Sequence, residues 1–293
     1  MSLQDTNFHK NILLKANGKK LNLKHACVMG IVNLTPDSFY VKSRLNTQKK
    51  LLKGVEKQIK EGAAIIDVGA MSSRPGAKEI NEKEELKRLL PSLQLIRSTF
   101  PDVFISVDTY RAEIARLAAE EGVDMVNDIS AGEMDKNMMK LVAKSKLPYV
   151  MMHMQGTPLS MQENPKYKNV VNEVKLFLEK KIIQAKEAGI KQLIIDPGFG
   201  FGKTLEHNYK LLHHLNDLNT LGYPLLVGFS RKSMINKVLN NKATEALNGT
   251  TVLNTIALLK GAKILRVHDV KEAVEAVRIV ESLEFRDFVV GSR

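Results

Sequence analysis

The sequence of 293 residues contains a single cysteine, Cys27. One cysteine excludes an internal disulfide framework and a cysteine-rich zinc site, and it favours a reducing compartment. No apolar run reaches the ~18 residues that a membrane-spanning helix needs, and residues 1–10 lack the basic-then-apolar pattern of a signal peptide. We therefore predict a cytoplasmic protein that does not bind a membrane.

Acidic residues are scarce in the first 60 positions, which hold twelve Lys and Arg against three Asp and Glu. This segment therefore supplies +9 of the net charge of +12. Such a basic segment could bind nucleic acid, attract a small anionic substrate or form a solvated face. No aromatic residues are interleaved with the basic ones and no nucleic-acid-binding motif is present, so nucleic acid is not a predicted partner.

The sequence also lacks a Pro/Gly/Ser-rich linker or a change of composition that would divide it. Its hydrophobic fraction of 44% and charged fraction of 26% are typical of a soluble globular protein with a large core. Barrels of the α/β class fold as one unit of about 250 residues. We assign residues 1–24 to an N-terminal extension and residues 25–293 to a single domain.

Eight short apolar runs alternate with longer amphipathic segments. The runs are 26–32, 64–68, 103–107, 124–126, 147–151, 192–195, 224–227 and 263–267. Segments with apolar residues at helical spacing include 48–61, 82–99, 111–121, 170–188 and 206–221. A strand, a helix and a glycine that ends the helix recur in this order eight times, without a signal for an antiparallel hairpin. This repeat predicts an α/β protein with a (β/α)₈ TIM barrel. An open doubly wound sheet is the alternative.

A glycine-rich stretch, residues 196–204, directly follows the sixth apolar run. A Walker A loop needs glycine five positions before the Gly-Lys pair, where this sequence has Pro197. A dinucleotide fingerprint fails as well, because Lys203 stands where the third glycine belongs. We predict that Lys203 and Thr204 begin the next helix and that the turn does not bind a nucleotide phosphate.

Polar residues follow every apolar run, and the carboxyl ends of barrel strands meet on one face. Asp108, Asn127 and Asp196 offer donors and acceptors without an obvious nucleophile, which suits a planar heterocycle with several ring nitrogens. For any single Asp, a helix N-cap is the alternative. An anion clamp is predicted from Ser73, Arg74, Arg266 and His268, since guanidinium groups match phosphate oxygens. His153 is interpreted as a packed structural histidine.

Five motifs, in chain order, resemble the signatures of the dihydropteroate synthase family. They are 29–39 (MGIVNLTPDSF), 73–77 (SRPGA), 152–156 (MHMQG), 196–203 (DPGFGFGK) and 230–233 (SRKS). The resemblance implies a (β/α)₈ barrel that forms a homodimer. It also implies a folate-biosynthesis reaction, in which 6-hydroxymethyl-7,8-dihydropterin diphosphate and 4-aminobenzoate give 7,8-dihydropteroate and diphosphate.

The resemblance also assigns roles to individual residues. Asp108, Asn127, Asp196 and Lys232 would hold the pterin, with Met152 and Phe201 packing near its ring. Arg74, Arg266 and His268 would grip the diphosphate, Ser73 would touch it, and Asn33 would bind its Mg²⁺. Ser230 and Lys232 would lie near the aminobenzoate. Asp108, Asp196, Lys232 and Arg266 are the catalytic candidates.

Two loops depart from the family pattern, namely residues 35–47 and 70–78. Residues 40–44 replace the common Ser-Asp-Gly-Gly, and residues 70–74 replace Gly-Glu-Ser-Thr-Arg while keeping a hydroxyl at Ser73. The missing glutamate leaves Asp37 as the nearest carboxylate that could assist Mg²⁺. A pterin-binding methyltransferase barrel is one alternative function, and an inactive binding paralogue is another.

Overall fold

Eight parallel strands close into a barrel in a computed structural model that describes residues 12–34, 44–71 and 80–283. The barrel strands are β3 (Cys27–Asn33), β4 (Ile65–Gly69), β5 (Phe104–Asp108), β6 (Met125–Asp128), β7 (Tyr149–Met152), β8 (Leu193–Asp196), β9 (Leu225–Val227) and β10 (Ala262–Val267). Their order is β10-β3-β4-β5-β6-β7-β8-β9. The (β/α)₈ prediction is confirmed, and closure between β10 and β3 excludes the open doubly wound sheet.

Helices follow the barrel strands and cover the outside. They are α1 (Arg44–Lys60), α2 (Glu82–Thr99), α3 (Ala112–Glu120), α4 (Met138–Ser145), α5 (Val170–Glu187), α6 (Leu205–His213), α7 (Ser233–Leu239), α8 (Leu247–Leu259) and α9 (Val270–Ser282). Because helices cover the sheet, strand residues such as Ile65, Ile66 and Val68 are fully buried. This explains why the strands are continuous apolar runs in the sequence.

The segment 206–221, predicted as one helix, is two elements. Helix α6 ends at His213, and a 3₁₀-helix covers Leu215–Leu221. The Lys260 ammonium donates to the carbonyl oxygen of His213 at 2.8 Å, so this carbonyl no longer needs a helical N–H partner. A residue that is distant in sequence thus satisfies a carbonyl group at this break.

An antiparallel hairpin precedes the barrel, formed by β1 (Leu13–Ala16) and β2 (Lys19–Asn22). Its turn residues, Asn17 and Gly18, both have positive φ, at 49° and 77°. An Asn-Gly pair with these dihedral angles is typical of a two-residue hairpin turn. The Asn17-Gly18 pair is a hairpin signal within residues 1–24, the segment assigned to an N-terminal extension, and the sequence analysis missed it.

The hairpin is anchored beneath the barrel, at the amino ends of the strands. The buried Asp124 carboxylate accepts from the Asn17 amide at 3.0 Å and pairs with Lys19 at 2.9 Å and with Arg97 at 2.5 Å. It also accepts from the backbone N–H of Ile105 at 2.9 Å. One carboxylate thus joins the hairpin, helix α2 and strand β5, on the opposite side of the barrel from the strands' carboxyl ends.

Replacing Asp124 with alanine is therefore expected to lower the free energy of unfolding by about 3 kcal/mol, because two partly buried cations lose their buried anion. Urea unfolding followed by circular dichroism measures the change. Glu120→Ala is the matched control, since Glu120 pairs with Arg116 on the exposed face of α3. Equal destabilisation by both variants would contradict the proposed anchoring role.

No helix within residues 12–34, 44–71 and 80–283 is long and apolar enough to span a membrane.

Candidate active site

The sheet register aligns the predicted site residues at the carboxyl ends of the strands. Asn33 pairs with Gly69, Gly69 with Asp108, and Asp108 with Asn127. On the other side of the barrel, Met152 pairs with Asp196. These residues are far apart in sequence, and the parallel register brings them to one end of the barrel.

A guanidinium group lies between two carboxylates at this end. Arg266 Nε donates to Asp67 Oδ2 at 2.6 Å, and its terminal nitrogen donates to Asp108 Oδ2 at 2.6 Å. The Asn127 amide also donates to Asp67 Oδ2, at 3.1 Å. Arg266, Asp108 and Asn127 therefore form one hydrogen-bonded group around Asp67.

Asp67 was missed in the sequence because it lies inside the apolar run 64–68. Its side chain is fully buried, and a buried carboxylate requires a charged or hydrogen-bonding partner. A carboxylate within a run that is otherwise apolar was the signal that could have identified it. The partner itself, Arg266, could not be read from the sequence because it lies 199 positions away.

The electrostatics of this group are set by burial and by mutual pairing. Burial raises the pKa of Asp108 to about 7, although Arg266 acts to lower it. Burial opposes the charge on Arg266, but Asp67 and Asp108 outweigh it and raise the pKa of the guanidinium above its ordinary value. Asp67 and Asp108 thus share the one positive charge of Arg266. A site with two carboxylates and one cation can accept hydrogen bonds from a ligand that has several N–H donors.

The glycine-rich turn after β8 is fixed by close backbone contacts. Asp196 Oδ1 accepts from the N–H of Gly198 at 2.7 Å. Gly198 has φ +69°, and a Cβ atom there would lie 1.9 Å from the carbonyl oxygen of His153. A Cβ atom on Gly202, at φ +59°, would lie 2.4 Å from the carbonyl oxygen of Gln155. The turn therefore requires glycine at both positions.

A buried lysine holds this turn from within. Lys203 Nζ donates to the carbonyl oxygens of Gly198 at 2.9 Å and Phe201 at 3.0 Å, and it contacts His153 Nδ1 at 2.9 Å. Burial lowers the pKa of Lys203 to about 7 and, together with that ammonium, the pKa of His153 to about 2. The packed, hydrogen-bonded role predicted for His153 agrees with these contacts, and Thr204 is the N-cap of α6 as expected.

Lys232, the N-cap residue of α7, approaches the same turn. Its ammonium donates to the carbonyl oxygen of Phe199 and lies 4.7 Å from the centre of the Phe201 ring. Burial lowers the pKa of Lys232 to about 8, while Asp196 acts to raise it. Burial also raises the pKa of Asp196, and Lys232 is the largest influence that lowers it. Asp196, Lys232 and Phe201 are therefore brought together as predicted.

An apolar cluster separate from the main core adjoins these groups. Its buried members are Tyr110, Ile129, Met152, Met161 and Phe201, with Met71 and Met154 packed against them. The cluster places the predicted Met152 and Phe201 together and adds Tyr110 and Ile129, which the sequence did not reveal. A polar group beside an apolar wall suits a flat ring with polar edges.

The remaining candidates lie beside or outside this centre. Ser230 Oγ is 3.0 Å from His268 Nδ1 and accepts from the His268 backbone N–H at 3.2 Å. Asp128, which also follows a strand, accepts from Ser130 and Gly132 and from the Tyr149 hydroxyl, so it shapes a turn. Ser73, Arg74 and Asp37 fall outside the described residues, as does most of loops 35–47 and 70–78.

The relatives of this chain agree with this geometry. A family profile described as "Pterin binding enzyme" matches residues 29–268. The dihydropteroate synthase of Haemophilus influenzae is 46% identical over 268 residues, covering 91% of this chain and 97% of that protein. The dihydropteroate synthase of Escherichia coli K12 is 46% identical over 271 residues, covering 92% and 95%.

Solved structures give the same result. A Yersinia pestis dihydropteroate synthase, determined as a sulfonamide drug complex, superposes with a TM-score of 0.87 at 41% identity and covers 93% of this chain and 99% of that one. A Xanthomonas albilineans dihydropteroate synthase with 4-aminobenzoic acid gives 0.87 at 36% identity, with coverage of 94% and 99%.

The barrel and its site thus define a pterin-binding enzyme of the (β/α)₈ class. Both of these relatives, which align with almost the whole of this chain, are dihydropteroate synthases. The chain belongs to the dihydropteroate synthase family, whose members are transferases.

Proposed function

We propose that this chain condenses 6-hydroxymethyl-7,8-dihydropterin diphosphate with 4-aminobenzoate, giving 7,8-dihydropteroate and diphosphate. The observation that carries the proposal is the polar group of Asp67, Asp108, Asn127 and Arg266, set opposite Asp196 and Lys232 beside an apolar wall. Carboxylates match the N–H edge of a pterin, and the apolar side chains match its faces.

The pterin lies among Asp108, Asn127 and Asp196, with Met152 and Phe201 against its ring. Arg266 is bound to Asp108, and we assign it to the leaving group next to the ring. Arg74, Ser73 and His268 bind the diphosphate with it, because guanidinium and hydroxyl groups donate to phosphate oxygens. Ser230, which contacts His268, is assigned together with Lys232 to the aminobenzoate.

Bond cleavage precedes attack in this proposal. The bond between the pterin methylene carbon and the bridging oxygen breaks, and the electron pair leaves with the diphosphate. The electron-rich ring stabilises the resulting cation, and the carboxylates of Asp108 and Asp196 supply opposite charge. The amino nitrogen of 4-aminobenzoate then bonds to the methylene carbon and loses a proton to water. No covalent enzyme intermediate forms.

We propose that Mg²⁺ acts with the diphosphate at this end of the barrel. Within the described ranges, no three His, Cys, Asp or Glu side chains form a cluster that could hold a metal ion. The proposed protein ligand is the amide oxygen of Asn33, at the carboxyl end of β3. Mg²⁺ is commonly bound by one or two protein oxygens together with substrate phosphates. When bound, it neutralises charge on the departing diphosphate.

We also propose a homodimer in the cytoplasm. Leu259 on α8 and Ile279 on α9 are large apolar side chains that are more than half exposed, and Leu283 follows them. These two helices pack against each other, so their exposed residues offer one apolar surface for a second copy. Light scattering of the purified protein tests this assembly.

Diphosphate release in the presence of both substrates and Mg²⁺ tests the function. We expect release that depends on 4-aminobenzoate, together with exchange of labelled oxygen between bridging and non-bridging positions in recovered substrate. A protein-bound pterin adduct would contradict the proposed order of steps. Methyl transfer from methyltetrahydrofolate without diphosphate release would contradict the function itself.

The activity is also expected to fall as the pH rises above about 8, because burial lowers the pKa of Lys232 to about 8 and its ammonium is then lost. A pH profile of kcat/KM measures this alkaline limb. In Lys232→Arg the side chain stays charged, so the limb should move to higher pH in the remaining activity. An unchanged limb would assign it to another group, such as Lys203, whose pKa burial lowers to about 7.

A further inference from the structure

The glycine turn after β8, residues 198–202, has every one of its carbonyl oxygens bound by a side chain. Lys203 and Lys232 are the donors to three of these oxygens. The other two oxygens belong to Gly200 and Gly202, which both have positive φ. Glycine-rich backbone can adopt many conformations, so these bonds select one of them.

Both glycine carbonyls are bound by one loop, residues 153–169, which joins β7 to α5. The side-chain amide of Gln162 donates to the carbonyl oxygen of Gly200 at 2.7 Å, and the Tyr167 hydroxyl donates to that of Gly202 at 2.7 Å. The donors lie 38 and 35 positions from their acceptors. Loop 153–169 therefore holds the turn from its more exposed side, while the buried Lys203 holds it from within.

The loop that carries these donors is itself closed by hydrogen bonds. Gln155 Nε2 donates to the carbonyl oxygen of Lys166 at 3.0 Å, and the Lys166 N–H donates to Gln155 Oε1 at 3.1 Å. The Tyr167 ring packs edge-on against His207 of α6, with 4.9 Å between the ring centres. Loop 153–169 is therefore fixed both to itself and to the helix that follows the turn.

The same loop contributes to the apolar wall of the site. Met161, which directly precedes Gln162, is buried in the cluster that contains Met152 and Phe201. Phe201 lies between the two residues whose carbonyls the loop binds, so the direction of its ring follows from the backbone that these bonds hold. A binding wall is precise only where supporting contacts hold it within about 0.5 Å. Loop 153–169 supplies such contacts on both sides of Phe201.

We propose that Gln162 and Tyr167 are positioning residues for the pterin pocket, which hold the glycine turn so that the Phe201 ring stays against the pterin. The proposal rests on the proposed function, which places Phe201 and Met152 beside the pterin ring. Neither positioning residue has to touch the ligand. Loss of either bond should weaken pterin binding, while Lys203 keeps the turn folded.

Calorimetric titration with 6-hydroxymethyl-7,8-dihydropterin tests this inference. In Gln162→Leu and in Tyr167→Phe we expect the dihydropterin to bind about fivefold more weakly, the effect of one neutral hydrogen bond. Tyr167→Phe keeps the ring that packs on His207 and loses only the hydroxyl, so it still tests the inference if Gln162→Leu folds poorly.

Steady-state kinetics separate positioning from an effect on the chemical step. The Phe201 ring contacts the pterin before and during the reaction, so the KM for the pterin substrate should rise about fivefold while kcat stays within about twofold. A fall in kcat at unchanged KM would overturn the inference, because the lost bond would then act on the chemical step.

Gln192→Leu is the matched control for Gln162→Leu. The Gln192 amide also donates to backbone carbonyls, those of Lys15 at 2.9 Å and Lys146 at 3.0 Å, but it precedes β8 at the amino end of the barrel. This variant should bind the dihydropterin within about twofold of the wild-type protein. The inference is overturned if Gln162→Leu and Gln192→Leu weaken binding equally, or if neither Gln162→Leu nor Tyr167→Phe weakens it. Wild-type protein that does not bind the dihydropterin contradicts the proposed function, and this inference with it.

Discussion

Replacing Asp196 with asparagine is expected to lower kcat/KM about a thousandfold, within the range for loss of a charge that acts in the transition state. Asparagine keeps the acceptor that binds the Gly198 N–H, so the glycine turn should persist. What is lost is the negative charge beside Lys232, which in the proposed mechanism also lies beside the developing cation. Steady-state diphosphate release measures the activity, and urea unfolding should show a change within about 1 kcal/mol.

Asp128→Asn is the matched control for this variant. Asp128 ends β6 much as Asp196 ends β8, and both carboxylates are buried. Its oxygens accept from Ser130, Gly132 and the Tyr149 hydroxyl. We expect this change to cost about 2 kcal/mol of stability and to leave kcat/KM of the folded enzyme within a few-fold. The reverse pattern, with Asp128 needed for activity and Asp196 for stability, would contradict our assignment.

Replacing Arg266 with methionine is expected to abolish nearly all activity and to destabilise the fold. The variant loses a cation that we propose to face the leaving group, which would be worth roughly a thousandfold in rate. It also leaves Asp67 and Asp108 buried without their shared partner, at a cost of about 3–5 kcal/mol. Activity assays and urea unfolding measure the two losses separately.

The two losses in the Arg266 variant have different causes, so a second substitution can separate them. In Asp67→Asn/Arg266→Met one buried carboxylate is gone, and we expect much of the stability to return while activity stays lost. Recovery of activity in the double variant would show that Arg266 acts only by neutralising Asp67. Arg116→Met, on the exposed face of α3, should change neither quantity.

The stability of Arg266→Met should also depend on pH. Burial already raises the pKa of Asp108 to about 7, and loss of Arg266, which lowers it, raises it further. The folded variant then holds a proton that the unfolded chain, with an ordinary carboxyl pKa of 3.8, releases, so stability is greatest below about pH 4, falls as the pH rises and levels off only above about pH 7, once the folded carboxyl has ionised as well. A pH-independent unfolding free energy would show that Asp108 is not the titrating group.

Much of the candidate site was predictable because its residues directly follow strands, and such residues lie at one end of a parallel barrel. Asn127 and Asp196 directly follow apolar runs, and the fold brings all such positions to one face. The glycine turn was also visible, since Gly198 and Gly202 adopt backbone conformations that other residues rarely adopt. Such signals are local, so a single sequence contains them.

Other residues could not be assigned from local patterns. Lys203 was expected only to begin a helix, yet its buried ammonium holds the turn through the carbonyl oxygens of Gly198 and Phe201. Arg111 was read as part of an amphipathic segment, and its contact with Ile80 spans 31 positions. Charged side chains are most often exposed in folded proteins. Lys203 and Arg111 are exceptions, and only the carbonyl oxygens that surround them in the folded structure show this.

The sequence by itself determined the barrel and the chemical character of its carboxyl end, because periodic burial and strand-end positions follow from backbone geometry. The tertiary structure decided which charges meet. Arg266 lies 199 positions from Asp67 and 158 from Asp108, and closure of the barrel between β10 and β3 brings them within 2.6 Å. Ion pairing falls off with distance in space and is independent of distance along the chain, so only the folded barrel reveals it.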